Sequence, residues 1–195
     1  IDLKGKAIML RGTTTATACV INGSDAGLPV LRCVAGETSL TIIENLTLAG
    51  GNALEGAGVR IVNSSPTIRQ CRIVNNNASG PAACRGGGVF VQGGNASITD
   101  CLIGGNTVAS SWMGDSGSAY SDGAGGGICV VDGSLMISRT TITGNLVRSS
   151  ASGCNAWSLG FGAGIYKSSA GTLMLEDCKI QGNSLEIYAA ASCNG

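Results

Sequence analysis

The stretch GGGVFVQGGNASITDCLIGGNTV, residues 86–108, decides the fold because the chain repeats its pattern. A glycine triplet is followed by two short segments of alternating apolar residues and then by an asparagine. Similar stretches begin at Gly56, Gly125 and Gly162, at spacings that vary from 30 to 39 residues. Self-similarity at a period of about 20 to 50 residues indicates a repeat architecture in which each copy stacks on the next.

The aligned copies place side chains of one type in the same slot. One apolar column reads Leu31, Val59, Val89, Ile128 and Ile165, and another reads Leu48, Ile73, Ile103, Ile142 and Ile180. A neighbouring column is expected to point outward: Arg32, Arg60, Phe90, Cys129 and Tyr166. Period-two alternation is typical of strands. Matching slots therefore predict parallel pairing of successive copies, in a β-helix of about six coils with one continuous core.

The length of each copy varies in one place, between the closing asparagine and the next glycine triplet. The closing residues are Asn76, Asn106 and Asn145. We expect each closing asparagine to take a left-handed bend and to bond the next one in the stack. A core of constant length with one segment of variable length per copy predicts variable loops on one side of the solenoid.

Two short motifs carry a resemblance to a known group. They are Gly86-Gly87-Gly88-Val89 and Ile103-Gly104-Gly105-Asn106, and the second recurs at residues 73–76, 142–145 and 180–183. They resemble the G-G-A-[ILV] and F-x-x-N marks of repeats in polymorphic outer-membrane proteins and secreted bacterial β-helix proteins. The resemblance implies a right-handed parallel β-helix of the pectate-lyase-like fold over nearly the whole chain. That fold hosts lyases, hydrolases, epimerases, adhesins and spacers, so it does not fix the function.

Composition narrows the class of protein. The 195 residues carry a formal net charge of zero and 44% hydrophobic residues, and no apolar run has the length of a membrane-spanning helix. We therefore expect neither a nucleic-acid partner nor membrane insertion. We predict a single domain over residues 1–195, as a fragment or the mature part of a longer chain. Its exposed solenoid ends are expected to pack on another chain.

No catalytic constellation stands out. The sequence has no histidine, which excludes histidine-based triads and most zinc sites. Asp100 and Asp177 share an outward column, but Arg139 lies between them, which favours a surface charge ladder. Asp115 and Asp122 share one variable segment and leave a calcium site open as an alternative. We predict no catalytic residue, no metal site and no cofactor, and we expect a protein that is not an enzyme.

The nine cysteines fall into two groups. Four of them occupy one inward column, which predicts buried free thiols: Cys19, Cys71, Cys101 and Cys178. Cys154 and Cys193 lie in variable segments, nine and ten residues after stacked asparagines, and are the candidates for a disulfide. A disulfide implies an oxidising compartment, so we expect an extracellular or cell-surface location. The pairing of Cys84 is left open.

The aromatic residues cluster in two neighbouring variable segments. The candidate binding patch consists of Trp112, Tyr120, Trp157 and Phe161. One interpretation is a small satellite core that covers the flank of the solenoid. The other is a patch for stacking sugars or docking a protein, because Trp and Tyr anchor interfaces.

Three functional hypotheses remain. The first is a non-catalytic secreted or cell-surface module that acts as a scaffold, an adhesin or a subunit of a larger assembly. The alternative is a polysaccharide-binding or polysaccharide-active β-helix protein, and the expected partner is accordingly a protein assembly or a polysaccharide. The third is an ice-binding solenoid. Ice binding is disfavoured because the relevant outward column is not uniform: Thr47, Arg72, Leu102, Thr141 and Lys179.

Overall fold

The computed structural model of the chain describes residues 1–24, 27–81, 83–113, 118–153 and 155–191. Within these ranges the chain forms strands and turns, and no helix there is long and apolar enough to cross a bilayer. The strands in chain order are Met9–Arg11 (β1), Val20–Asn22 (β2), Leu31–Cys33 (β3), Ile42–Glu44 (β4), Thr47–Ala49 (β5), Asn52–Ala53 (β6), Val59–Val62 (β7), Thr67–Arg69 (β8), Arg72–Val74 (β9), Asn77–Gly80 (β10), Ala83–Arg85 (β11), Val89–Thr99 (β12), Leu102–Gly104 (β13), Thr107–Met113 (β14), Ser118–Ala124 (β15), Ile128–Ser138 (β16), Thr141–Thr143 (β17), Leu146–Gly153 (β18), Asn155–Phe161 (β19), Ile165–Lys167 (β20), Leu173–Glu176 (β21), Lys179–Gln181 (β22) and Ser184–Ala191 (β23).

These strands form sheets in which each coil pairs in parallel with the next. One sheet follows the order β1-β4-β8-β12-β16-β20, with β3, β7 and β21 beside this path, and a second follows β2-β5-β9-β13-β17-β22. A third follows β6-β10-β14-β18-β23, and a fourth β11-β15-β19. The predicted all-β parallel β-helix is thus confirmed.

The predicted apolar columns are also the columns of the structure. Val89 lies opposite Val59 on one side and Ile128 on the other. Ile103 lies between Ile73 and Ile142 in the second sheet, and its side chain has no exposed surface. Because a coil alone cannot bury its apolar side, the core exists only as a stack.

A ladder of buried asparagines runs through this stack. Asn76 Nδ2 donates to Asn106 Oδ1 at 2.9 Å, and Asn106 Nδ2 donates to Asn145 Oδ1 at 3.0 Å. The same oxygens accept the backbone N–H groups of Asn76 and Asn106, at 3.1 and 3.0 Å. Each rung therefore joins two coils through both a side chain and a backbone. The predicted asparagine bonds are present, but the left-handed bend lies one residue earlier, at Asn75 and Gly105.

The glycine triplets serve two different needs. Gly86 has a φ of 64°, a left-handed conformation that suits glycine. Gly88 is needed for space, since a Cβ there would lie 2.6 Å from the carbonyl oxygen of Gly127 and 2.9 Å from Asn106 Nδ2. The triplet thus lets the chain turn sharply beside the asparagine ladder.

The variable segments, expected to be loops, are strands in the structure. Three of the segments leave the coil as one strand and return as another, namely β10 and β11, β14 and β15, and β18 and β19, and the copies stack in parallel. We call these strands the flap, with β6, β10, β14, β18 and β23 as its outgoing sheet and β11, β15 and β19 as its return sheet. The outgoing strands lengthen along the solenoid, from 2 residues in β6 to 4 in β10, 7 in β14 and 8 in β18.

The interior of the flap is filled by small side chains. Near the solenoid it consists of Ala53, Ala57, Ala78, Cys84, Val108 and Val147. Farther out, the hydroxyls of Ser110, Ser121 and Ser149 lie 2.9 to 3.0 Å from one another, and all three residues are buried. Small residues let the two sheets approach closely, and the mutual hydrogen bonds offset the cost of burying the hydroxyls.

One column departs from its predicted exposure. Phe90 and Cys129 were expected to point to solvent, but they are buried with Ala124 of the return sheet in a small cluster of their own. Arg60, one coil earlier, keeps 30% of its side chain exposed. The prediction was wrong for Phe90 and Cys129 because the flap folds back over this face of the solenoid.

A buried carboxylate holds the first coils together. Glu37 is 1% exposed and accepts hydrogen bonds from Gly5 N at 2.8 Å, Ala35 N at 3.0 Å and Ser64 Oγ at 2.9 Å. Burial alone would raise the pKa of Glu37, but the backbone N–H donors and the Ser64 hydroxyl outweigh it and lower this pKa. The residues it joins belong to three successive coils.

Replacing Asn106 with alanine tests the ladder. Asn106→Ala removes the acceptor shared by Asn76 N and Nδ2. Asn76 Nδ2 keeps Leu48 O and Val74 O, but the buried backbone N–H of Asn76 is left without a partner. We expect the free energy of unfolding to fall by about 2 kcal/mol or more, measured by chemical denaturation. The matched control is Asn95→Ala, because Asn95 is exposed in β12. Equal losses in the two variants would contradict the role of the ladder.

The Glu37 carboxylate predicts a pH dependence of stability. Its pKa in the folded state lies below the unfolded value of about 4.3, so it stabilises the fold above that pH. This contribution is lost as the pH falls through the folded pKa. Glu37→Gln should lower the unfolding free energy at neutral pH by about 1–3 kcal/mol and flatten its decline in acid. Glu186→Gln, at a surface ion pair, is the control. It should change the unfolding free energy at neutral pH by only a few tenths of a kcal/mol, and should leave the decline in acid unaltered.

Candidate functional site

The outer face of the return sheet carries a row of large exposed side chains. Tyr120 of β15 lies directly opposite Trp157 of β19 in the parallel register. Leu159 and Phe161 follow at alternate positions of β19, so they share the face of Trp157. The exposed fractions run from 38% at Phe161 to 66% at Trp157, with Tyr120 at 48%. We call these four residues the aromatic ridge.

Small residues on the other face of β19 make the ridge possible. Ala156, Ser158 and Gly160 alternate with the ridge residues and turn toward the interior of the flap. A Cβ on Gly160 would lie 2.8 Å from Leu185 Cδ1, so glycine lets β19 pack closely on β23. This alternation of large and small residues in NAWSLGF was the sequence signal for the strand, and it was missed.

The inner end of the ridge is fixed to the solenoid. The rings of Phe161 and Tyr166 have centroids 5.4 Å apart and planes tilted by 33°. Tyr166 lies on β20 of the large sheet, whereas Phe161 ends the return sheet. Such an aromatic pair contributes about 1 kcal/mol beyond its burial, so it holds the ridge in a defined position.

Trp112 lies apart from the ridge. It belongs to the outgoing sheet, where it follows the same alternation as the buried Val108 and Ser110. Its exposed fraction is 39%. The structure thus brings together the other three predicted aromatic residues and leaves Trp112 on a different sheet. Its neighbour Met113 is 85% exposed.

Polar groups border the ridge. Asp122 lies two residues after Tyr120 on β15, and its Oδ2 is 3.5 Å from Arg85 Nη2. Asp122 Oδ1 is buried and accepts no hydrogen bond from the part of the chain that the structure describes. Asp115, the other half of the alternative calcium site, lies outside the described residues. In the described ranges no three His, Cys, Asp or Glu side chains converge as a metal site would require.

The outward carboxylate column forms an ion pair rather than a pair of facing acids. Arg139 Nε lies 2.7 Å from Asp100 Oδ1, and Nη2 lies 3.0 Å from Oδ2. The hydrogen bonds from Arg139 hold the pKa of Asp100 below its usual value. Asp100, Arg139 and Asp177 all have a positive φ, between 45° and 54°. The column is therefore a turn of the coil whose charged side chains face solvent.

A cavity near the N-terminal end of the flap was not predicted. Its volume is ≈ 380 Å³, and Leu28, Leu54, Arg32, Glu55 and Arg60 line it. The signal in the sequence was the presence of two arginines in the same outward slot of consecutive copies. That slot was interpreted as ordinary surface. The cavity could not be predicted from the sequence, because it is formed by a gap beside the short flap strands.

Buried thiols occupy the core, as the inward column predicted. Cys71 and Cys101 are at most 6% exposed, and Cys71 N donates to Cys101 Sγ at 3.4 Å. Burial raises the pKa of Cys71 to about 11 and that of Cys101 to about 12. Cys84 and Cys129 are also buried free thiols, with pKa values raised by burial to about 11 and about 12. A thiolate is the reactive form of cysteine, so these side chains are poor nucleophiles.

The prediction of burial was wrong for the two ends of the inward column. Cys19 and Cys178 are only half-buried, because each has a stacked neighbour on one side only. Cys19 Sγ lies 3.1 Å from Thr14 Oγ1. The hydrogen bond from Thr14 lowers the pKa of Cys19. The end of the column thus has a more reactive thiol than its middle.

Alkylation of the native protein should reveal this difference. We expect Cys19 to react first near neutral pH, and Cys71 and Cys101 to react only on unfolding, because burial blocks both access and ionisation. Peptide mapping by mass spectrometry measures the order, and Cys19→Ser should remove the fast phase. Fast labelling of Cys71 or Cys101 in the folded protein would contradict the burial of the column.

Cys154 and Cys193 lie outside the described residues, so their predicted disulfide stays a prediction. The same peptide maps test it. If the two residues are linked, both are labelled only after reduction, and a non-reducing digest contains the joined peptides. Cys154 recovered as a free thiol, or linked to Cys84, would contradict the prediction.

Comparison with known proteins bears on the fold. A search of curated proteins finds no match, and a search of solved structures finds none. A family model described as a right handed beta helix region matches residues 6–195. The match covers nearly the whole chain and agrees with the stacked parallel sheets. The chain therefore belongs to the right-handed β-helix family.

Proposed function

We propose that this chain is a non-catalytic scaffold module of the extracellular space or cell surface. In this proposal copies of the chain assemble by packing their aromatic ridges together. The observation that carries it is the aromatic ridge, four large apolar side chains exposed on a regular sheet whose other face is packed. Contiguous exposed apolar residues of this kind mark interaction surfaces.

A non-catalytic role is supported by the state of the ionisable groups. Asp100, Glu55 and Glu186 each lie within 3.2 Å of an arginine nitrogen. Glu37 is enclosed by hydrogen-bond donors, and the core thiols have raised pKa values. Catalytic acids and bases instead need pKa values tuned toward the working pH in a cleft.

A second copy of the chain is the partner that the charges favour. The formal net charge is zero, so two copies do not repel each other at long range. The ridge itself is uncharged, and Arg85 and Asp122 beside it provide one charge of each sign. In a two-fold contact each copy presents the same patch, so Arg85 of one copy can face Asp122 of the other.

The proposed location depends on the cysteines of the variable segments. A link between Cys154 and Cys193 would require an oxidising compartment, whereas buried thiols such as Cys71 are compatible with any compartment. Location and assembly are therefore tested separately, the first by the peptide maps and the second by hydrodynamics.

A second candidate function is polysaccharide binding. Tyr120 and Trp157 are one strand apart, about 4.8 Å along the solenoid. Both rings are exposed, at 48% and 66%. Two exposed rings at this spacing would suit a sugar, which offers an apolar face for stacking.

Sedimentation velocity over a wide range of concentration tests the assembly. We expect the wild-type chain to self-associate, and the double variant Tyr120→Ser/Trp157→Ser to raise the dissociation constant about ten-fold or more, because aromatic anchors dominate interfaces. Met113→Ser is the matched control, since Met113 is 85% exposed on the other sheet of the flap. Circular dichroism and thermal melting should show all variants folded.

Two outcomes would overturn the proposal. The wild-type chain could remain a monomer throughout, or the double variant could associate as strongly as the Met113→Ser control. If a monomeric wild-type chain is retarded by a neutral polysaccharide in affinity electrophoresis, and the double variant is not, the second candidate is supported in its place.

A further inference from the structure

The cavity near the N-terminal end of the flap has one charged wall and one apolar wall. Its volume of ≈ 380 Å³ is within the range of about 300–1,000 Å³ that is usual for sites of small ligands. Leu28 and Leu54 form the apolar wall, with exposed fractions of 50% and 53%. Leucine side chains left half exposed in a cavity can bury more surface when a ligand enters.

The charged wall includes Glu55 and two arginines from neighbouring strands. Arg32 and Arg60 lie directly opposite each other on β3 and β7, so their side chains start about 4.8 Å apart. The Cζ of Arg60 lies 6.0 Å from the centre of the Phe90 ring. Like charges in register repel, and this cost is reduced by an anion that bonds both.

The acids of the chain offset this repulsion only in part. Arg60 Nη2 is 3.2 Å from Glu55 Oε2, and Arg32 Nη1 is 3.8 Å from Asp2 Oδ2. Each contact uses one nitrogen, whereas a guanidinium has five N–H donors. Asp2 is shared with Lys4, whose Nζ lies 3.3 Å from Asp2 Oδ2. Among these described residues, Lys4, Arg32 and Arg60 against Asp2 and Glu55 leave a single positive charge.

We propose that this cavity binds a small monoanion in which a carboxylate is joined to an apolar body. The carboxylate bridges Arg32 and Arg60, because guanidinium groups bind carboxylates through paired hydrogen bonds. The apolar body packs between Leu28 and Leu54. A dianion such as phosphate fits less well, since Glu55 lies in the same wall and one positive charge is available.

The inference is independent of the proposed assembly. The cavity lies beside β6 and β11, where the flap is short, and the aromatic ridge lies on β15 and β19. The assembly variant Tyr120→Ser/Trp157→Ser should therefore retain ligand binding at the cavity.

Four compounds separate the contributions of the two walls. Benzoate and hexanoate carry both a carboxylate and an apolar body, acetate carries the carboxylate alone, and benzyl alcohol carries the body alone. Binding is measured by NMR titration, with the arginine Nε–H signals as a local readout. We expect benzoate or hexanoate to bind about ten-fold or more tightly than acetate and benzyl alcohol, because both walls must contribute.

Variants then assign the binding to these residues. Arg60→Gln should weaken benzoate binding about ten-fold or more, because it removes a charged hydrogen-bond donor. Glu55→Gln should strengthen binding, because it removes the competing carboxylate. Arg148→Gln is the matched control, since Arg148 forms a similar surface pair with Glu186 far from the cavity, and it should change nothing.

The proposal is overturned if acetate binds as tightly as benzoate, or if Arg60→Gln and Arg148→Gln bind benzoate equally.

Arg60→Lys keeps the charge and the long aliphatic stem, and it replaces Arg60→Gln in the test if Arg60→Gln does not fold. It should bind benzoate with an affinity between those of the wild type and Arg60→Gln, because an ammonium group lacks the planar fork. Binding by Arg60→Lys equal to that of the wild type would show that paired hydrogen bonds are not involved.

Discussion

Hydrogen bonds between buried asparagine amides fix the register on which the rest of the structure depends. A buried amide without partners costs free energy, so Asn106 can only lie where Asn76 and Asn145 satisfy it. A shift of one residue between two coils would break these bonds and turn the apolar column of Ile103 toward solvent. Apolar burial supplies the larger part of the stabilisation, but it is not directional. The amide ladder selects one register among those that burial alone would permit.

The flap inherits its order from this register. Its outgoing strands start next to the asparagines, and β14 pairs with β18 from the first residue to Met113. The interior offers little apolar area, since serines such as Ser110 and Ser149 fill it. Two sheets with so small a core would be marginal alone, because stability scales with buried apolar surface. They are ordered because each copy is placed on the previous one by the coil beneath it.

The sequence predicted the coils well and the flap poorly, for one physical reason. Coil positions such as Ile98 and Ile137 recur at fixed offsets from a glycine and an asparagine, so alignment alone places them in columns. The flap strands differ in length from copy to copy, and much of their interior is filled by Ala, Ser and Gly, which give a weak hydrophobic periodicity. Tyr120, Trp157 and Phe161 could be assigned to one side of the solenoid. The separation of Trp112 from these three residues could not be predicted from the sequence. It depends on whether a residue lies on the outgoing or the return strand.

The growth of the flap also explains the change of residue type along one outward column. Arg60 follows a flap strand of two residues, and its side chain stays 30% exposed. Phe90 follows a strand of four residues and Cys129 one of seven, and both are buried. Where the flap is short, the slot faces an open cavity and tolerates a charge; where the flap is long, the same slot is covered, and an unpaired charge there would be costly. The length of a variable segment thus sets the chemistry of the coil that follows it, which places an arginine-lined cavity at one end of the column and an aromatic face toward the other.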